Sequence, residues 1–303
     1  MLKIGVMGLG NIAQKAYLPV MAAMQDEYEW HLCTRNAAKG QSLAAKYGFT
    51  HVCQTLDELI VSGVDAVFVH TPTATHAAII EQLLRAGINV YVDKPVATDP
   101  EVVARLYALA AQQGLLLTCG FNRRFAPNNQ ALKQVAAKQM VTAEKTRLHT
   151  QQEAEFALWD LMIHPLDTAL WLADEPLEPT AVRVLTDEAG MLKQAYYIAD
   201  GAQEHVTVTV NMDAHANLEQ VTVQGADARL SSEDLLQLRR ASTAQTSLQH
   251  RPDWEPVLET RGFAPLIRAF LTAVRTNGVN PVSPESVLAS HRACALLVAQ
   301  LGK

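Results

Sequence analysis

Cysteine is scarce in this 303-residue chain: Cys33, Cys53, Cys119 and Cys294 lie far apart, with no C-x-x-C pair and no His-rich metal spacing. The sequence therefore predicts no bound metal and no disulfide framework, and four free thiols suit a reducing cytoplasm. A basic excess is missing too. Lys and Arg number 25 against 31 Asp and Glu, a net charge of −6, and apart from Arg123-Arg124 and Arg239-Arg240 the cations are scattered. Without a basic stripe to displace counterions from phosphates, nucleic acid is not an expected partner. Long apolar runs are also absent. The longest uncharged stretch, Leu106 to Asn122, is interrupted by Gln112, Gln113 and Gly114, too polar and too short to span a bilayer. Met1 to Gly10 lack the apolar core and cleavage site of a signal peptide, so the expected location is cytoplasmic. What remains, 49 % hydrophobic and 18 % charged residues, describes a globular protein of two domains.

Through the first 120 residues, apolar runs of strand length alternate with helix-period segments. Strands are expected at Lys3–Met7, Glu29–Cys33, Asp65–His70, Asn89–Val92 and Leu115–Cys119. Between them fall helices at Asn11–Met24, with a kink or break at Pro19, and at Ala37–Tyr47, Ala74–Ala86 and Pro100–Gln113. That alternation implies right-handed crossovers and a parallel sheet covered on both faces. Beyond Val141 strands follow one another: Ala143–His149, Thr180–Leu185, Leu192–Ile198, His205–Asn211 and Gln220–Val223, with a turn at Asp200-Gly201. Val206, Val208 and Val210 alternate with Thr207 and Thr209, the period of a sheet with one buried face. Helices are expected at Pro165–Ala173, Pro265–Thr276 and Pro284–Leu301. The fold class is α/β, a doubly wound Rossmann domain over 1–122 followed by an α+β domain with a largely antiparallel sheet over 123–303. An apolar sheet face in need of cover would suit a homo-oligomer, a homodimer or homotetramer.

Gly8-Leu9-Gly10-Asn11-Ile12-Ala13 follows the first strand and opens a helix, the context that gives a G-x-G-x-x-A turn its meaning. Gly8 permits the tight turn, Gly10 lets backbone approach a pyrophosphate, and Ala13 allows close helix–strand packing. The amides of Asn11 and Ile12 stand at the positive end of the helix dipole, where phosphates bind. After the second strand the chain reads Leu32-Cys33-Thr34-Arg35-Asn36, without the carboxylate that holds an NAD ribose. Thr34 can donate to a 2′-phosphate and Arg35 can pair with it, so NADP is favoured over NAD; a merely solvated Arg35 is the competing reading. Thr71, Pro72 and His76 follow the third apolar strand and are expected along the cofactor crevice.

Three further motifs, Asp93-Lys94-Pro95, Gly120-Phe121-Asn122-Arg123-Arg124-Phe125 and Asp160-Leu161-Met162-Ile163-His164, complete a set in which the sequence resembles the Gfo/Idh/MocA oxidoreductase family. Gly120–Phe125 and Asp167–Leu172 look most like its MviM-type members. The resemblance implies an NAD(P)-dependent oxidoreductase acting on a CH–OH group of a sugar, cyclitol or related polyol. It also implies catalytic roles for Lys94, Asp160 and His164. Two departures stand out: Asp93 replaces the family's usual Glu, and Glu155–Trp159 replace a glycine-rich run, which leaves an imine or a tetrapyrrole open as substrate.

Hydride transfer from an alcohol needs a proton acceptor at the hydroxyl, and an imidazole near neutrality suits that task, so His164 is expected as general acid/base. Lys94, at the carboxyl end of a parallel strand, is placed to stabilise a developing alkoxide. Asp160, one helical turn before His164, would bind a substrate hydroxyl or tune the imidazole, or serve only as a structural carboxylate. Pro165 is expected to begin a new helix, which leaves a shared face for Asp160 and His164 unsecured. Asp93 and Asn122 are assigned to the cofactor and Arg124 to substrate, although Asn122 and Arg124 could equally tie the domains together. His149, Gln151 and Gln152 are weak substrate candidates, and Trp159 and Trp171 read as core. A redox sensor that binds dinucleotide without turnover is the alternative on the same fold.

Overall fold

The structure, a computed structural model, describes residues 1–302. β1 (Leu2–Met7) runs through the glycine turn into a helical stretch that widens to a π-turn at Ala13–Tyr17 before α1 (Leu18–Ala22). Next come β2 (Tyr28–Cys33), α2 (Ala37–Tyr47), β3 (His51–Cys53), α3 (Leu56–Val61), β4 (Ala66–Val69) and α4 (His76–Arg85). β5 (Asn89–Val92), α5 (Pro100–Gln112) and β6 (Leu117–Cys119) complete the alternation. Three of these helix starts carry polar caps. Asn36 accepts from the Lys39 amide, Thr55 from Glu58, and Asp99 from Glu101 ahead of Pro100. The six strands are all parallel in the order β3-β2-β1-β4-β5-β6. The order reverses between β1 and β4, and ligands of such sheets bind beyond the strand carboxyl ends at that reversal.

The second half of the chain opens with α6 (Pro127–Lys133), β7 (Lys138–Leu148), α7 (Ala154–Ala157) and α8 (Ile163–Leu172). β8 (Glu178–Thr186), β9 (Leu192–Asp200), β10 (His205–Ala214), β11 (Leu218–Gly225), β12 (Arg229–Glu233), β13 (Gln237–Ala241) and β14 (Thr246–His250) follow. α9 (Val257–Thr260), α10 (Phe263–Thr276) and α11 (Pro284–Val298) come last. The eight strands form one sheet, β14-β13-β12-β11-β7-β10-β9-β8, antiparallel except where β7 runs beside β10. α8 lies on β7, β10 and β11. Val206, Val208 and Val210 are buried, while Thr207 and Thr209 on the other face are half-buried.

Two compact units result. One comprises Met1–Gly120 with Phe263–Pro284, the other Phe121–Gly262 with the residues from Glu285 on. Within the first, Phe270 of α10 packs edge-on against Phe68 at 5.3 Å and Tyr91 at 5.6 Å. One expectation about proline needs correction. Pro165 does not begin a helix: helical conformation is continuous from α7 through a π-turn at Leu158–Met162 into α8. At Pro19 the helix changes form, the π-turn at Ala13–Tyr17 giving way to α1 one residue before the proline. A proline ring clashes with the carbonyl one turn earlier, and a widened turn upstream moves that carbonyl aside, so the helix survives. No helix among the described residues is long and apolar enough to cross a membrane.

Candidate functional site

In the first unit the glycine turn has the form the sequence predicts. Gly8 has φ +93°, and a Cβ there would meet the His70 backbone and Thr71 at 2.9 Å. A Cβ on Gly10 would meet only the His70 carbonyl, at 4.0 Å, so the turn stays open on that side. Asn11 and Ile12 are exposed at the helix start and Ala13 is buried. This open cradle at a helix N-terminus fits a dinucleotide pyrophosphate. At the end of β2 the Thr34 amide donates to the Cys53 carbonyl (3.1 Å), the Thr34 hydroxyl accepts from the Asn36 amide (3.4 Å), and Arg35 is exposed.

The turns after β4 and β5 are tied together. His76 is buried with Nδ1 2.9 Å from the Pro95 carbonyl and Nε2 2.8 Å from that of Thr71. The Thr75 hydroxyl donates to Thr71 Oγ1 and is 2.8 Å from the Pro72 carbonyl. Asp93 turns inward: Oδ2 lies 2.9 Å from His70 Nδ1, and Oδ1 accepts from the Tyr17 hydroxyl at 2.5 Å. Burial acts to raise the Asp93 carboxyl, but His70 above all, with Tyr17, holds it below its ordinary value. The Tyr17 ring also lies against that of His70, centroids 3.9 Å apart and planes tilted by 35°, and its hydroxyl is 3.1 Å from that of Tyr91. Lys94 follows Asp93 directly beyond β5, half-buried, and the Lys94–Pro95 peptide is cis.

In the second unit, Asp160 lies within the π-turn and His164 one turn on, in α8. Helical continuity thus gives the two side chains the spacing of neighbours on one face. Arg123 Nη1 lies 3.5 Å from His164 Nε2 and 3.2 Å from Asn122 Oδ1. Its remaining nitrogens donate to Glu219, Nε at 3.1 Å and Nη2 at 3.3 Å, and Lys145 Nζ donates to the same carboxylate. Burial works to raise the Glu219 carboxyl, but Arg123 foremost and then Lys145 outweigh it and hold it far below the usual range. Burial pulls the Lys145 ammonium down to about 7 against the attraction of Glu219. Arg123, permanently charged, is the cation that keeps Glu219 ionised.

Arg124 and Asn122 are both hydrogen-bonded within the second unit. Arg124 is buried and donates through Nε (3.0 Å) and Nη2 (2.5 Å) to Asp167 and through Nη1 (2.6 Å) to Ser286. Burial raises the Asp167 carboxyl despite Arg124 and Ser290. Asn122 is buried and donates to the Arg261 carbonyl at 2.7 Å. His149 is exposed and 2.7 Å from Asp213, on a pocket of about 220 Å³ that also includes the exposed Gln151; Gln152 is half-buried. Trp159 is buried, and half-buried Trp171 lies 5.9 Å from Lys133 Nζ.

Sequence reasoning missed Arg123 as the neighbour of His164, and Lys145, Glu219, Tyr17 and His70 altogether. One signal was present: Lys145 falls on the inward-facing positions of β7 with Val141 and Ala143, where a charge needs a partner. Register supplies it, because Glu219 of β11 pairs with Lys145.

Residues 2–121 match the Gfo/Idh/MocA family described as oxidoreductases with an NAD-binding Rossmann fold, and residues 127–243 match the YceM-like C-terminal domain. The protein YceM of Salmonella typhimurium is 33 % identical over 301 residues, covering 96 % of this chain and 95 % of that one. The chain belongs to the Gfo/Idh/MocA oxidoreductase family. The crystal structure of the dehydrogenase MviM from Clostridium difficile superposes on this family member with a TM-score of 0.93 at 26 % identity, covering 99 % of each chain. The UDP-N-acetylglucosamine 3-dehydrogenase of Acidithiobacillus ferrooxidans is 32 % identical over 201 residues, 63 % of this chain and 61 % of the relative, less than two thirds of its length.

Proposed function

We propose that this Gfo/Idh/MocA protein is an NADP-preferring dehydrogenase that transfers hydride between a nicotinamide and a CH–OH group of a sugar, cyclitol or related polyol. The observation that carries the reading is the placement of Asp160 and His164 on one continuous helical stretch, with Arg123 fixed by Glu219 beside His164 Nε2. A purely dinucleotide-binding sensor has no use for that arrangement. The bound nicotinamide supplies or accepts the hydride. His164 takes the hydroxyl proton, Asp160 binds a substrate hydroxyl and orients the imidazole, and Lys94 stabilises the charge that develops on the substrate oxygen.

Residues 1–122 hold the dinucleotide in this proposal, with Gly8, Gly10, Asn11 and Ile12 at the pyrophosphate and Thr34 and Arg35 at a 2′-phosphate. Thr71, Pro72 and His76 shape the crevice, and Asp93 positions its wall. Residues 123–303 hold the substrate and pair subunits into a homodimer or homotetramer. The name of the Acidithiobacillus relative makes nucleotide sugars the first substrates to try. The test is stopped-flow oxidation of bound NADPH against oxidised sugars, nucleotide sugars and cyclitols, alongside NADH. Turnover that disappears in His164→Ala with NADPH still bound supports the reading, while oxidation unchanged in that variant removes His164 from the chemistry.

A further inference from the structure

At the edge of the parallel sheet, strand register aligns two pairs of metal-ligating residues: His31 of β2 opposes His51 of β3, and Cys33 opposes Cys53. Because side chains alternate along a strand, Glu29, His31 and Cys33 share one face of β2 while Trp30 and Leu32 take the other. The imidazoles of His31 and His51 stack with centroids 4.4 Å apart and planes 7° from parallel. Both present Nε2 to the same atom, Glu29 Oε1, at 2.7 Å from His31 and 3.6 Å from His51. One donor atom from each residue lies within 4.8 Å of the other two. His31 is buried, Glu29 is half-buried and His51 is exposed, so the cluster has a wall and an open side.

Hydrogen bonding explains half of this geometry. His31 donating to Glu29 satisfies one ring and holds the carboxyl below its ordinary value. At 3.6 Å, His51 is too far to donate to the same oxygen, yet it is parallel to its neighbour and aimed at the same point. We propose that Glu29, His31 and His51 form a binding site for a divalent transition-metal ion of the zinc class, with two imidazole nitrogens and one carboxylate oxygen as ligands and water in the remaining position. Metal–ligand bonds of about 2.0–2.2 Å in a tetrahedron set ligand-to-ligand edges near ~3.3 Å. The two separations to Glu29, 2.7 and 3.6 Å, lie on either side of that value, and binding requires the stacked rings to rotate out of parallel so that their in-plane lone pairs converge on the ion. Two imidazoles with a single carboxylate select zinc, nickel or copper over magnesium or calcium, which take oxygen sets.

Lys3 of β1 stands in register with Glu29 and competes with an ion for its charge. Cys33 and Cys53 lie two residues further along the same face, and Cys33 Sγ points to the Thr55 carbonyl at 3.2 Å. Glu29 and His31 are the second and fourth residues of β2, whereas Thr34 and Arg35 lie beyond its carboxyl end, so the metal site is separate from the proposed dinucleotide site. An ion here clamps a three-residue edge strand to the sheet rather than taking part in hydride transfer.

Zinc chloride competing with a chromophoric chelator for the full-length, chelator-stripped protein tests the proposal, with cobalt absorption and thermal unfolding as further readouts. Expected are one equivalent of zinc, a Tm raised by about 5 °C in excess metal, no effect of magnesium, and affinity lowered at least about tenfold in Glu29→Gln and His51→Ala. His51 is exposed, so His51→Ala should keep the metal-free Tm and report ligation alone. Undiminished binding in His51→Ala, loss of binding only in Cys33→Ser/Cys53→Ser, or no binding at about 100 µM zinc would each overturn it.

Discussion

Both units contain a helix that widens into a π-turn just ahead of a proline, but the two turns serve buried carboxylates of different kinds. In the first unit the last π-turn residue, Tyr17, reaches Asp93 beside His70, so the carboxylate is held by a phenol and an imidazole. In the second the π-turn carries Asp160 ahead of His164, and the buried carboxylate nearby, Glu219, is held by the cations Arg123 and Lys145. The first network holds a single carboxylate, Asp93, between a phenol and an imidazole and suits a frame for the glycine turn. The second fixes full charges beside an imidazole and is the more costly to disturb. Removing one member of a buried ion pair strands the others, whereas removing a neutral donor forfeits one hydrogen bond.

The largest expected effect tests whether the first unit is only a frame. Lys94→Met should lower turnover by about 10²–10³ while NADPH affinity, read by fluorescence titration, changes little. Full turnover would leave chemistry to the second unit alone. Next, Glu219→Gln should destabilise the protein by about 3–5 kcal/mol in urea unfolding, because Arg123 and Lys145 lose their counter-charge. Since Glu219 is depressed in the folded state, its contribution is present above about pH 4.3, its unfolded value, and fades as pH falls below it. The stability gap between wild type and Glu219→Gln should therefore narrow from pH 6 to pH 3, and a gap that widens on acidification would reverse the assignment.

Tyr17→Phe should cost less, about 1.5–3 kcal/mol for a hydrogen bond to a charged acceptor. A loss as large as that of Glu219→Gln would erase the distinction between the networks. Smallest is Arg35→Ala, expected to weaken NADPH about tenfold, or about 1.4 kcal/mol, with NADH unaffected. Equal weakening of both cofactors would make Arg35 a general contact instead of a reader of the 2′-phosphate.

What could be read from the chain follows what each segment owes to local pattern. The glycine turn and the apolar strands beside it carry their own periodicity, so the parallel sheet was visible without coordinates. β3 was not: three residues, His-Val-Cys, are too short to show a period. β12 to β14 escaped because their residues, such as Arg239-Arg240 and Thr246-Ser247, are mostly polar, and one leucine per strand is too little to show a period. The helix through Pro165 was hidden because a π-turn is a relation between carbonyls and has no residue signature. Partners of the buried charges depend on register between distant strands. Lys145 and Glu219 are 74 positions apart, and only the β7–β11 alignment joins them. The same limit conceals Glu29, His31 and His51, whose spacing follows no local metal motif.

The return of α10 to the first unit has a consequence for how the protein is made. The 142 residues from Phe121 to Gly262 are synthesised between β6 and the helix that brings Phe270 onto Phe68 and Tyr91. At about 5–20 residues per second, the nascent sheet waits roughly 7–30 s with those aromatics uncovered. A ribosome-bound chain stalled near Gly120 should therefore be a better chaperone client than one stalled after Pro284, and the amino-terminal piece expressed alone should aggregate at concentrations where the whole chain stays dispersed.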